Sequence, residues 1–428
     1  MKILLVEPDF PIPHKSKNHK NFLPIGLLKL ASLYRKRGHK VKLVRGNKTT
    51  REVRLLGDSR WFVPDEILVT SLFTYWADYV KRTVQHYRTL FPAAEISVGG
   101  IYASLMPDHC KAHTGCNKVI RGVVKEAENI EPAYDLLNCN SSAPIDYQIL
   151  HTSRGCVRSC SFCGTWIIEP HFSYKTTIKD EIVAEKIVFY DNNLLANPHV
   201  EDILNELISL KKENIILWCE AQSGFDGRIL EEKPHIAKML KKAGFRNVRI
   251  AWDGRYAEFP HIQRQLNILQ NAGYSQREDI FIFVLYNWDI SFEEMELKRI
   301  KCFGWGVQIS DCRYRPLDQT YDHFNYAQTQ TSKDYFIHAS WSDELVKQFH
   351  KNVRRQNICV RHRFIFHSKE FERKLIDKQT ISRVLIKVKS LKSRSQIRDY
   401  LNESKITYWL PGEITYPPPP QIEPFESS

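Results

Sequence analysis

The chain has 428 residues, with 62 Lys and Arg against 49 Asp and Glu, for a formal net charge of +13. That length holds two or three domains; no apolar run reaches the roughly 18 residues of a membrane span, and the apolar stretch at the N-terminus is too short for a secretory signal, so a cytoplasmic protein is expected. Ten cysteines over such a chain exclude a disulfide scaffold, while the positive charge fits an anionic partner, nucleic acid included, as well as it fits plain solubility.

In chain order, residues 2–6 form an apolar run followed by Pro8, Pro11 and Pro13, which reads as a buried parallel strand emptying into a loop. Residues 24–37 carry Ile25, Leu27, Leu28, Leu30, Ala31, Leu33 and Tyr34 at helical spacing, Gly38 closes that helix, and residues 40–44 are the next strand. Residues 67–71, 76–90 and 95–99 repeat the order strand, helix, strand. Such alternation predicts a doubly wound parallel sheet with its ligand crevice at the carboxyl ends of the strands. The loop over residues 11–22, with His14, Lys15, Lys17, His19 and Lys20, leaves the first strand toward that crevice. Gly99 and Gly100 suit either a close ligand approach or a strand-end turn. Residues 124–140, mixing acidic side chains, Pro132 and small polar residues, read as an inter-domain linker.

The stretch from His151 to Trp166 sets Cys156, Cys160 and Cys163 in one turn-rich loop. Three thiolates so close together hold either a Zn²⁺ ion or three irons of an iron–sulfur cluster. Zinc wants a fourth ligand, for which His151 is the nearby candidate, and it favours paired knuckles over gaps of three and then two residues. Three ligands as the full set leave one iron of a four-iron cluster open, as a reactive site requires. The remaining cysteines form no second tight motif.

The pattern C-x₃-C-x₂-C, with Phe162 just before the last cysteine, resembles the signature of the radical S-adenosylmethionine superfamily. The resemblance implies a 4Fe–4S cluster on Cys156, Cys160 and Cys163, with S-adenosylmethionine chelated by the open iron. It also implies reductive cleavage to a 5′-deoxyadenosyl radical that abstracts a hydrogen atom, and an external electron donor such as flavodoxin or ferredoxin. Upstream, PIGLLKLASLYRKRGH (residues 24–39) and ISVGGIYASLMPD (96–108) resemble the cobalamin-binding-like domain that precedes many such cores. The cobalt-ligating Asp-x-His-x-x-Gly element is absent, so cobalamin, and with it methyl transfer to carbon, stays open.

Strand–helix alternation resumes at Ile149. Residues 186–190 form a strand with Asp191, Asn192 and Asn193 at its carboxyl end, and residues 215–220 form the next, with Glu220, Gln222 and Ser223 at its mouth. In parallel barrels the active residues come from those ends. A helix, a glycine cap and a fourth strand lead to Trp252, Asp253, Gly254 and Arg255, where the family usually has glycine, glutamate and serine. Residues 279–286 and 306–310 supply the fifth and sixth strands, matching a partial (β/α)6 barrel. The resemblance thus marks Phe162, Asp191, Asn192, Glu220 and Arg255 for the S-adenosylmethionine site, Arg255 as a bidentate partner for a carboxylate.

Beyond Asp318 the pattern gives way to charge. Residues 334–355 read as a helix with Trp341, Leu345, Val346 and Phe349 on one face. Arg354, Arg355, Arg361, His362 and Arg363 then cluster, residues 369–398 are rich in Lys and Arg, and Pro417 to Pro420 mark an extended tail. The expected organisation is an α/β chain: a cobalamin-binding-like domain (1–123), a linker (124–148), a radical core (149–330) and a basic, α-rich extension (331–428). The alternative function is a nucleic-acid-associated protein that modifies or recognises RNA or DNA through the basic C-terminal third.

Overall fold

The computed structural model describes residues 1–12, 23–55, 62–138 and 146–362, together with residues 390 and 396. The expectations for the loop at 13–22, for the basic segment at 369–398 and for the proline tail fall outside them, apart from those two residues. The chain is α/β with parallel sheets. Among the described residues no helix is long and apolar enough to cross a membrane.

Five parallel strands, β1 (Lys2–Glu7), β2 (Lys40–Arg45), β3 (Glu66–Ser71), β4 (Glu95–Gly100) and β5 (Lys118–Ile120), form the first sheet in the order β2-β1-β3-β4-β5. β1 lies inside the sheet, between β2 and β3, and is apolar on both faces. Leu4 and Val6 pack with Ile67, Val69, Val80 and Val84, the last two from the helix Ala77–Leu90. Ile3 and Leu5 pack on the other face with Leu27 and Leu28 of the helix Ile25–Lys36. Helices on both faces and a strand order that reverses between β1 and β3 define a doubly wound sheet. Gly100 has φ +102°, and a Cβ there would lie 2.1 Å from the Ser71 carbonyl oxygen. This glycine answers the packing of its own sheet.

The second half begins with β6 (Gln148–Leu150), β7 (Ser153–Arg154), β8 (Ser173–Tyr174) and β9 (Lys186–Phe189), and continues with β10 (Trp218–Ala221), β11 (Val248–Ala251), β12 (Ile280–Tyr286) and β13 (Gln308–Arg313). β7 and β8 form a short antiparallel pair. The others make two parallel sheets, β10-β9-β6 and β11-β12-β13, and the parallel bridges Cys219–Phe245 and Phe225–Ile250 join β10 and the segment after it to β11. The six parallel strands therefore follow one another in sequence order. One core runs behind all of them, from Ile187 and Phe189 through Ile250 and Ile282 to Val346 and Phe349.

Residues 125–138, read as a linker, fold into two short helices, Lys125–Glu128 and Asp135–Asn138. Ala133 and Leu137 are buried in the core of the first sheet, and Glu128 accepts hydrogen bonds at 2.8 Å from both Lys29 and Arg154. Composition sees the polar surface of this segment and misses the two apolar residues that dock it. The last described helix spans Asp343–His362, later than expected. Trp341 precedes it and is fixed by an indole N–H donated to the Ile290 carbonyl at 2.9 Å, while Val346 and Phe349 are fully buried.

Candidate metal centre

The cysteine loop leaves from β7 and returns through the helix Thr165–Ile168 to β8. Its first turn needs glycine. Gly155 has φ +76°, and a Cβ would fall 2.8 Å from the His171 carbonyl oxygen. Glu169 then cinches the base, accepting from the Gly155 N–H at 2.6 Å, from Asn192 at 3.1 Å and from Arg154 at 3.3 Å. Arg158 reaches across to Asp226 at 2.9 Å, anchoring the loop to the segment after β10.

Cys156, Cys160 and Cys163 are all free and half-buried. The Cys156 sulfur accepts from the Arg158 N–H at 3.4 Å, and the Cys163 thiol donates to Thr165 Oγ1 at 3.3 Å, which in turn donates to Asn192 Oδ1 at 3.2 Å. Burial first, and then the neighbouring Cys163, Asp253 and Cys156, push the Cys160 thiol up, with Arg228 pulling the other way. Mutual repulsion of this kind is what a bound cation relieves. Among the described residues no three His, Cys, Asp or Glu side chains are gathered tightly enough to hold one metal ion. His151, the other zinc candidate, is buried and makes no hydrogen bond among the described residues.

The residues marked from sequence divide into two groups. Asn192 joins the cysteine loop, as above. Phe162 packs edge-on against Trp288, just past β12, with ring centroids 6.1 Å apart, and Trp288 lies 4.0 Å from Tyr314 beyond β13. Asp191, by contrast, is buried and spent. It accepts from the backbone and hydroxyl groups of both Thr152 and Ser153 at 2.6–3.0 Å, tying β9 to the start of β7. Glu220 is likewise taken, by Arg249 at 2.7 Å and Asn247 at 2.9 Å. Arg255 is exposed and engages Glu294 at 3.3 Å and Asp289 at 3.6 Å, away from the cysteines. A strand-end position does not tell which face a side chain takes, and these three turn to structural partners.

Asp253, two residues from Arg255, stands in the segment where the family has glutamate but is not among the residues marked for the site. It makes no hydrogen bond or ion pair among the described residues, burial pushes its pKa up to about 6, and its charge is felt by both Cys160 and the exposed Cys312 on β13. Its neighbour Lys298 is fully buried and donates to the carbonyls of Trp252 and Gly254. The first sheet contributes the opposite wall. Leu105 lies against Gly164, where a Cβ would be 3.1 Å from its side chain, and the Arg315 guanidinium sits 4.7 Å from the Tyr75 ring centre. Nothing in the sequence pattern links Tyr75 or Leu105 to the cysteines, because that contact is purely tertiary.

No protein-family model and no curated protein matches this chain.

Proposed function

We propose that this chain is a radical S-adenosylmethionine enzyme acting on a C–H bond. The observation that carries the reading is three free thiols on one glycine-hinged loop, set against the carboxyl ends of six parallel strands in sequence order. Read this way, the six strands are a partial barrel (149–330) and the first sheet (1–123) is the accessory domain that walls its mouth. Cys156, Cys160 and Cys163 would hold a four-iron cluster, which when bound with S-adenosylmethionine supplies one-electron reductive cleavage and hydrogen-atom abstraction.

The chain's own residues do the rest. Glu169, Gly155 and Arg158 fix the feet of the loop that carries the thiols. Asn192 and Asp253 are the polar groups near the thiols with capacity for a ligand amino or hydroxyl group. Phe162, Trp288 and Tyr314 give an aromatic wall that excludes water. At the carboxyl edge of the first sheet, among the described residues, Gly100 is required by Ser71 and Phe10 stacks on Trp76 with centroids 5.2 Å apart.

Anaerobic reconstitution with iron and sulfide tests the reading. Wild-type protein is expected to carry visible cluster absorbance and about four irons per chain, and to release 5′-deoxyadenosine from S-adenosylmethionine under reduction. Each single Cys→Ala variant at 156, 160 and 163 should lose both, and a Cys219→Ala variant neither. Full iron retention in all three variants would sink the proposal.

A further inference from the structure

A cavity of about 490 Å³ lies under the feet of the cysteine loop, lined by residues 123, 125, 128, 129, 151–154, 168–171 and 173–175. Its size is that of a small-molecule site. One wall is apolar: Val123, Ile168, Pro170 and the ring of Tyr174. The other is charged, and its charges do not cancel. Glu128 is taken by Lys29 and Arg154, Glu169 by Arg154, and Lys175 by Glu181 at 2.7 Å. Lys125, also in the lining, has no ion pair among the described residues. In the lining itself three cations (Lys125, Arg154, Lys175) thus meet two carboxylates (Glu128, Glu169), leaving one positive charge.

The second, independent observation is His151. It lines the cavity, is only 5% exposed, and its Nδ1 is enclosed without a hydrogen-bond partner among the described residues. Burial, and then the charges of Arg154, Lys29 and Lys175, hold the ring neutral well below the ordinary histidine range. A buried polar ring without a partner is uncommon and points to a missing one.

We propose that this cavity binds a small organic anion, its apolar body against Ile168, Pro170 and Tyr174, its carboxylate or phosphate drawn to Lys125 and Lys175 and hydrogen-bonded by His151. An occupant would touch both feet of the cysteine loop, since Arg154 and Glu169 line the cavity and Glu169 also holds Gly155 and Asn192. Its lining includes neither Phe162 nor Asp253, and it does not depend on the cysteines holding iron.

Calorimetric titration of the full chain with benzoate, phenyl phosphate and benzyl alcohol tests it. Saturable binding of one or both anions is expected, with the uncharged alcohol at least roughly tenfold weaker. The preference between benzoate and phenyl phosphate names the head group. Lys125→Glu, a surface change that folding tolerates, should weaken the preferred anion by roughly tenfold or more, and Ile168→Arg should block it by filling the apolar end. Alcohol binding as tight as the anions, affinity undiminished in both variants, or no saturable heat up to about 10 mM of either anion would overturn the proposal. Because the readout is binding and not turnover, failure here leaves the cluster reading untouched, and the reverse.

Discussion

Lys298 shows how far a single buried charge shapes this molecule. Burial lowers its pKa from 10.5 to about 8, although Glu294, Asp253 and Glu258 pull it upward. Between those two values the unfolded chain keeps a proton that the folded chain has released, so this group makes the protein more stable as pH rises through that window. Lys298→Met should therefore flatten the rise: urea unfolding at pH 7 and pH 10 is expected to show wild type gaining on the variant at the higher pH, by an amount on the order of 3 kcal/mol. Parallel behaviour of the two proteins would contradict this. Asp191 makes the complementary case, a buried carboxylate whose value lies in what it accepts. Removing it strands the N–H groups of Thr152 and Ser153, and Asp191→Ala should cost about 3–5 kcal/mol in equilibrium unfolding. Asp191→Asn keeps one acceptor oxygen and should cost less. The functional counterpart is Asp253. Asp253→Ala should weaken S-adenosylmethionine binding to the reconstituted protein by roughly tenfold, whereas Arg255→Ala, at the surface, should leave it within about twofold by calorimetry.

At the scale of elements, the cysteine loop depends on its base. Glu169→Ala removes the acceptor shared by Gly155, Asn192 and Arg154. Such a variant should fold and take up iron, yet lose it several-fold faster to a chelator, because no ligand is lost while the loop is loosened. Iron release at the wild-type rate would show that Glu169 serves only the fold. β1 to β4, β9, β12 and the helices Ile25–Lys36 and Ala77–Leu90 lie within a few positions of where hydrophobic period puts them, whereas the last described helix starts nine residues later than its apolar face suggested. β5, with three residues, and the β7–β8 pair, with two each, carry no such signal. The three cysteines are legible because their spacing is local. The partners of Asp191, Glu220 and Arg255 were not legible, because a strand end fixes a position along the chain and says nothing of which neighbour a side chain will find across the fold. Tyr75, Leu105 and Asp253 could be selected only once tertiary contacts were known.

For the whole molecule, the two halves are joined by buried charge and by stacking. Lys29, Glu128 and Arg154 form one cluster spanning the first sheet, the short helix after it and the foot of the cysteine loop. Glu128→Ala would leave two cations facing each other and should cost about 3 kcal/mol, splitting a single calorimetric transition into two if each half holds its own core. Expression with added hydroxocobalamin tests the cofactor directly: corrin absorbance in the purified protein would make the first sheet a cobalamin domain, and colourless protein would leave it as an accessory wall of the proposed site.

The placement of Leu105 against Gly164 also sets an order of events during synthesis. All five strands of the first sheet are drawn from residues 2–120, in the part of the chain made first, and domains fold as units while the rest is still being made. The helix Ile101–Leu105 is thus standing before the cysteines leave the ribosome. The loop that carries them closes onto a finished surface, and its three thiols spend little time as an open, oxidisable segment before the later strands arrive.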